Sequence, residues 1–147
     1  MKTLITAILI LTVNLSANTT NIYSHAKDVR VSKKVFFAQR AAKKGNVQAQ
    51  FDLAIAYATG NGIEKDETKA FYWFHKSARA GHVEAKYYMG VSFLQGRGVR
   101  KDAHLARYWF KQASKAGHKK AIFYLARVEK SLNKSNKYIT ENYLSKI

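Results

Sequence analysis

Five histidines, nine carboxylates and a scatter of serines are the obvious candidates for acid–base, metal or nucleophilic chemistry in this 147-residue chain. They do not assemble into a catalytic pattern. His75, His82 and His104 lack the i, i+4 or short-loop spacing to an acidic partner that a ligand set needs. The acids are scattered, and no serine stands in a nucleophile-elbow context. The absence of cysteine excludes thiolate zinc sites, iron–sulfur clusters and cysteine nucleophiles. A non-catalytic protein with no cofactor and no metal is therefore expected. His82 and His118, each just after a glycine, fall where helices should start.

Charge is the stronger signal. The chain carries 26 Lys+Arg against 9 Asp+Glu, a formal +17, beyond what solubility requires. Lys43, Arg79 and Lys115 stand 36 residues apart, and Arg107, Lys111 and Lys115 run at i, i+4 and i+8. Stacked helices would align the first three into a basic ladder. Two explanations stand: the ladder binds an anionic partner, or basic residues near helix C-termini simply complement the helix dipole.

The elements that would position these residues follow from a repeat. Gly45, Gly81 and Gly117 are spaced by 36, as are Gly60 and Gly96, Gly62 and Gly98, Asp66 and Asp102, and Trp73 and Trp109. Within each unit Ala49, Leu53, Ala54 and Tyr57, then Ala85, Met89, Gly90 and Phe93, mark one face of a first helix. Small residues at 54 and 90 allow close helix approach. Asp66 and Asp102 should cap a second helix, which runs to a C-terminal glycine. The triplets Tyr72-Trp73-Phe74 and Tyr108-Trp109-Phe110 are expected to be core rather than stacking platforms. The fold class predicted is all-α, a short α-solenoid of antiparallel helix pairs.

With these motifs the chain resembles the Sel-one-like repeat family, short relatives of tetratricopeptide repeats. Full repeats are placed at 46–81 and 82–117, within a repeat domain at 32–147, and half-repeats at 32–45 and 118–131. Leu132 and Lys134 stand where loop glycines should be, so a separate capping helix is expected at about 136–147. The resemblance implies a concave face of first helices that takes protein or peptide partners. On it would lie Gln48, Asp52, Ile55, Glu84, Tyr88, Val91, Lys120, Tyr124 and Arg127, with Tyr88 and Tyr124 as exposed aromatic contacts.

The N-terminus adds a location. Lys2, the apolar run from Leu4 to Leu15 and the small pair Ser16-Ala17 read as a signal peptide at 1–17, followed by an irregular polar leader at 18–31. The run is too short to span a bilayer, so no transmembrane span is expected in the mature chain. Export to the periplasm or beyond removes nucleic acid as the expected partner of a basic chain. What remains is an exported adaptor for a protein, favourably an acidic one, in the bacterial envelope or on a host. The alternatives are an electrostatic binder of anionic envelope surfaces, or the hydrolase or penicillin-binding activity that the resemblance links to cysteine-rich members.

Overall fold

The computed structural model describes residues 33–144; the expected signal peptide and polar leader lie outside them. Six helices follow one another: α1 (33–43), α2 (Val47–Thr59), α3 (Glu67–Arg79), α4 (Val83–Gln95), α5 (Ala103–Lys115) and α6 (Lys119–Leu144). No strand occurs among the described residues. Packing between α2 and α3, α3 and α4, α4 and α5, and α5 and α6 runs from neighbour to neighbour, as a solenoid requires.

Two kinds of joint alternate along the chain. At Gly45, Gly81 and Gly117 a second helix ends, and one residue later the next first helix is already being capped. His82 shows how: its backbone N–H donates to the Ser77 carbonyl (3.1 Å), and that of Gly81, at φ +101°, donates to Ala78 (3.1 Å). This pair of bonds saturates carbonyls at the end of α3 and needs the left-handed conformation glycine adopts without strain. The next residue then turns its side chain forward. Asn46 accepts from the Ala49 N–H (2.8 Å), His82 Nδ1 from Ala85 (3.2 Å) and His118 Nδ1 from Ala121 (3.0 Å). A single residue thus closes one helix and opens another.

The longer joint is the Gly-x-Gly loop. Gly60, Gly62, Gly96 and Gly98 all have φ between +67° and +76°. At Gly98 a Cβ would overlap the Glu67 carbonyl at the start of α3, so the second loop lies directly on the first repeat. Asp66 then caps α3 by accepting from Lys69 N–H (2.9 Å), and Asp102 caps α5 through His104 and Leu105 (2.9 Å each). The Lys69 backbone N–H, and after it the Lys69 ammonium at 2.9 Å, hold the Asp66 carboxyl below its ordinary range.

The core is built from the predicted faces. Leu53, Ala54, Ala85, Met89, Ala106, Phe110, Ala113 and Ala121 are buried to 1% exposure or less. Gly90 lies against the Phe110 ring, where a Cβ would come within 2.6 Å. Two expectations need correction. The aromatic triplets are not core throughout: Phe74 and Phe110 are buried and Trp73 and Trp109 half-buried, while Tyr72 and Tyr108 stand about half exposed. Consecutive residues on a helix point about 100° apart, so three in a row cannot share one apolar face. The separate capping helix does not exist either. α6 runs unbroken for 26 residues through 131–136, because Leu132 and Lys134 replace the glycines and the chain has no proline to stop it.

Candidate interaction surfaces

The first helices α2, α4 and α6 carry the residues expected to meet a partner, and the structure sorts them into different duties. Gln48 and Glu84 reach the next repeat. Gln48 Oε1 lies 3.1 Å from His82 Nε2, and Glu84 Oε2 lies 2.9 Å from His118 Nε2. Since Nδ1 of each ring accepts a backbone N–H, the ring proton sits on Nε2 and donates to the amide or carboxylate. Each histidine also stacks at 4.5 Å and 17°, His82 on Phe51 and His118 on Tyr87. Gln48 Nε2 in turn donates to Asp52 Oδ1 (2.9 Å). The histidines thus form a clamp repeated every 36 residues. Their position after the glycine was the only signal of it in the sequence.

Tyr88 and Tyr124 are half-buried rather than exposed. Tyr88 stacks on Phe74 at 4.9 Å and 4°, and Tyr124 on Phe110 at 5.4 Å and 19°. Both rings therefore use one face inside the protein. Tyr87, in contact with Tyr124, is 9% exposed, and burial first and then Tyr124 push its phenol up to about 12. Ile55 and Val91 are half-buried beside this core, whereas Lys120 and Arg127 project from α6 into solvent.

Asp52 and Ile55 do meet open space. Between α1 and α2 runs a groove of about 250 Å³ lined by Lys34, Val35, Ala38, Phe51, Asp52, Ile55 and Ala56, with Thr59 and Asn61 beside them. Its wall is mostly apolar with one cation and one carboxylate. Beneath it Gln50 is 6% exposed, and its Nε2 donates to the Ala42 carbonyl (3.2 Å).

The basic ladder lies on the second helices. Lys43, Arg79, Arg107, Lys111 and Lys115 are all exposed. His75, in the same row of helices, is held below its ordinary value by burial first and by Arg79 second. Among the described residues no group of three or more His, Asp or Glu is placed to hold a metal ion, and no helix is long and apolar enough to cross a membrane.

Helix hairpins of fixed length, stacked through an identical clamp and an identical pair of joints, define a short-repeat α-solenoid. Residues 47–82 and 83–118 match the Sel1 repeat, and the chain is a Sel1-like repeat protein. Among solved structures it is similar to a Sel1 repeat protein from Oxalobacter formigenes, at 29% identity and a TM-score of 0.59, covering 65% of this chain and 38% of that one. It is also similar to a protective antigen present in uropathogenic Escherichia coli strains displaying an SLR fold, at 35% identity and a TM-score of 0.56, covering 56% of this chain and 18% of that one. The chain thus spans well under half the length of either. Comparison with curated proteins gives no match.

Proposed function

We propose that this chain is an exported, non-catalytic adaptor that holds a protein or peptide partner in the bacterial envelope or at a host surface. Repeats of this family generally mediate protein–protein interactions, and the solenoid is typically a non-catalytic scaffold. The observation that carries the reading is the groove between α1 and α2. It is apolar along Val35, Ala38, Phe51 and Ile55, and offers Lys34 and Asp52 for orientation. A short apolar segment with a polar flank fits such a wall, because burial supplies affinity and the two charges fix direction. The basic start, short apolar run and small residues up to Ala17 support export.

A photo-crosslinking side chain introduced at Ile55 tests the groove in the native host, with the same probe at Lys111 as the comparison. A discrete protein adduct from position 55 is expected. An adduct from position 111 alone would move the binding site to the second-helix face. N-terminal sequencing of the fractionated protein should give a start near Asn18, and a cytosolic product retaining Met1 would overturn export.

A further inference from the structure

We infer that the outer face of the second helices is a docking surface for a bilayer containing anionic phospholipid, separate from the groove between α1 and α2. The basis is a ladder that repeats every 36 residues. Phe36 on α1, Tyr72 on α3 and Tyr108 on α5 occupy the same repeat position and are 54%, 50% and 52% exposed. Seven residues on in each helix, and so on the same face, stand Lys43, Arg79 and Lys115.

Apolar exposure and charge both separate α1, α3 and α5 from the first helices α2 and α4 packed between them. Of the eight large hydrophobic side chains exposed among the described residues, five lie on α1, α3 or α5, three on α6 and none on α2 or α4. The same three helices carry three, three and three lysines or arginines besides Lys34 of the groove, against one carboxylate, Glu67, which pairs with Lys65 at 3.1 Å. By contrast α2 and α4 hold one lysine, Lys86, and two acids, Asp52 and Glu84. Across α1 to α5 the positive charge therefore lies on the second helices, while α6 adds six lysines and arginines against two acids at the C-terminal end of the row.

The local geometry selects among anionic partners. The Arg40 guanidinium lies 6.0 Å from the Phe36 ring centroid and the Lys76 ammonium 5.4 Å from that of Tyr72. A cation already covers one face of each ring, and Tyr72 and Tyr108 also meet the edges of Trp73 and Trp109 at 5.1 and 5.4 Å. Flat stacking of a base or a sugar on these rings is thereby opposed. A ring with a cation beside it suits the boundary of a bilayer, where the aromatic enters the glycerol level and the cation meets the phosphates. Two such units, at Phe36 and Tyr72, and the equally exposed Tyr108 on the next second helix form a row, and a row matches a planar surface.

Flotation of the full chain with vesicles of phosphatidylcholine alone, and with one quarter of it replaced by phosphatidylglycerol, tests the proposal. Residues 4–15 are common to every variant, so their contribution cancels between variants, and the increment on adding phosphatidylglycerol is read above the flotation they give with phosphatidylcholine alone. Binding should require phosphatidylglycerol and weaken as salt rises from about 0.1 M to about 1 M. Lys43→Gln with Arg79→Gln and Lys115→Gln should reduce it about tenfold or more, since each basic residue near an anionic surface contributes roughly fivefold. Tyr72→Ser with Tyr108→Ser should lower it about fourfold, the scale of one methylene equivalent leaving an apolar boundary. Tyr72→Phe with Tyr108→Phe should retain it. Circular dichroism confirms that each variant is folded. No increment on adding phosphatidylglycerol at vesicle concentrations where flotation with phosphatidylcholine alone is partial, or an unaffected Gln variant, overturns the proposal. So does a Ser variant that floats like the parent, because charge alone would then point to a soluble polyanion, which heparin competition would reveal.

Discussion

His118 and Glu84 meet across a repeat boundary at 2.9 Å, in the same geometry that joins His82 to Gln48 at 3.1 Å. An acid and an amide fill one structural role, so the clamp depends on an acceptor oxygen rather than on a charge. Glu84→Gln should therefore cost little, within about 0.5 to 1 kcal/mol, whereas His118→Ala removes the acceptor of the Ala121 N–H as well and should cost about 1 to 2 kcal/mol. Urea denaturation of the two variants compares them. Equal losses would show that the ring does no capping.

Gly90 is expected to resist even the smallest substitution. Alanine in a helix interior normally gains about 1 kcal/mol over glycine. Here the added Cβ would sit 2.6 Å from the Phe110 ring, and displacing a fully buried ring costs about 1 to 3 kcal/mol. Thermal melting of Gly90→Ala should show net destabilisation. A raised Tm would mean that α4 and α5 separate without cost.

Burial ranks the aromatic residues of α5. Phe110 is at 0% exposure, Trp109 is half-buried and Tyr108 is 52% exposed. Phe110→Ala should cost about 3 to 5 kcal/mol, Trp109→Ala less, and Tyr108→Ala under about 1 kcal/mol. Denaturation midpoints that reversed this order would contradict the packing described for α5.

Stability should fall at both ends of the pH range. Tyr87 has its phenol pushed up to about 12 from 10.0. The unfolded chain releases that proton first, so stability is lost as pH rises from about 10 towards 12, and Tyr87→Phe should flatten the loss. His75 is shifted the other way, below its ordinary 6.5. The unfolded chain then binds the proton more readily, so the stability present above pH 6.5 is lost as pH falls through the lower folded value. His75→Gln should weaken that acid limb in chemical denaturation across pH.

The repeat was legible because its marks are local and chemically exact. Glycines at positive φ and aspartates at helix starts are demanded by backbone geometry within a few residues. The faces were partly legible. The sequence separates Ala49 and Leu53 from Gln48 and Asp52, but cannot show that Tyr88 and Tyr124 stack on Phe74 and Phe110 of the neighbouring helices. Likewise the Gln48–His82 clamp joins residues 34 apart, a spacing that has no meaning until the helices are stacked. The exposed Tyr72 and Tyr108 were hidden inside triplets read as uniformly apolar. At the C-terminus the missing glycines mark where the repeat ends, but the length of a helix with no stop signal, α6, is set by packing rather than by any local residue.

The residue that closes one helix and opens the next has a consequence for how such a chain can change length. Each 36-residue unit carries the arm that reaches forward, Gln48 or Glu84, and the ring that receives the arm from behind, His82 or His118. Removing residues 47–82 would join Asn46 directly to Val83, leaving a capping side chain in front of an intact α4. Inserting a further copy would be equally silent at its edges. Gene-level duplication or loss of a unit therefore keeps every helix start capped, so the array can be lengthened or shortened at its joints without a new capping residue, although loss of 47–82 would bring Lys86 to the buried place of Gln50.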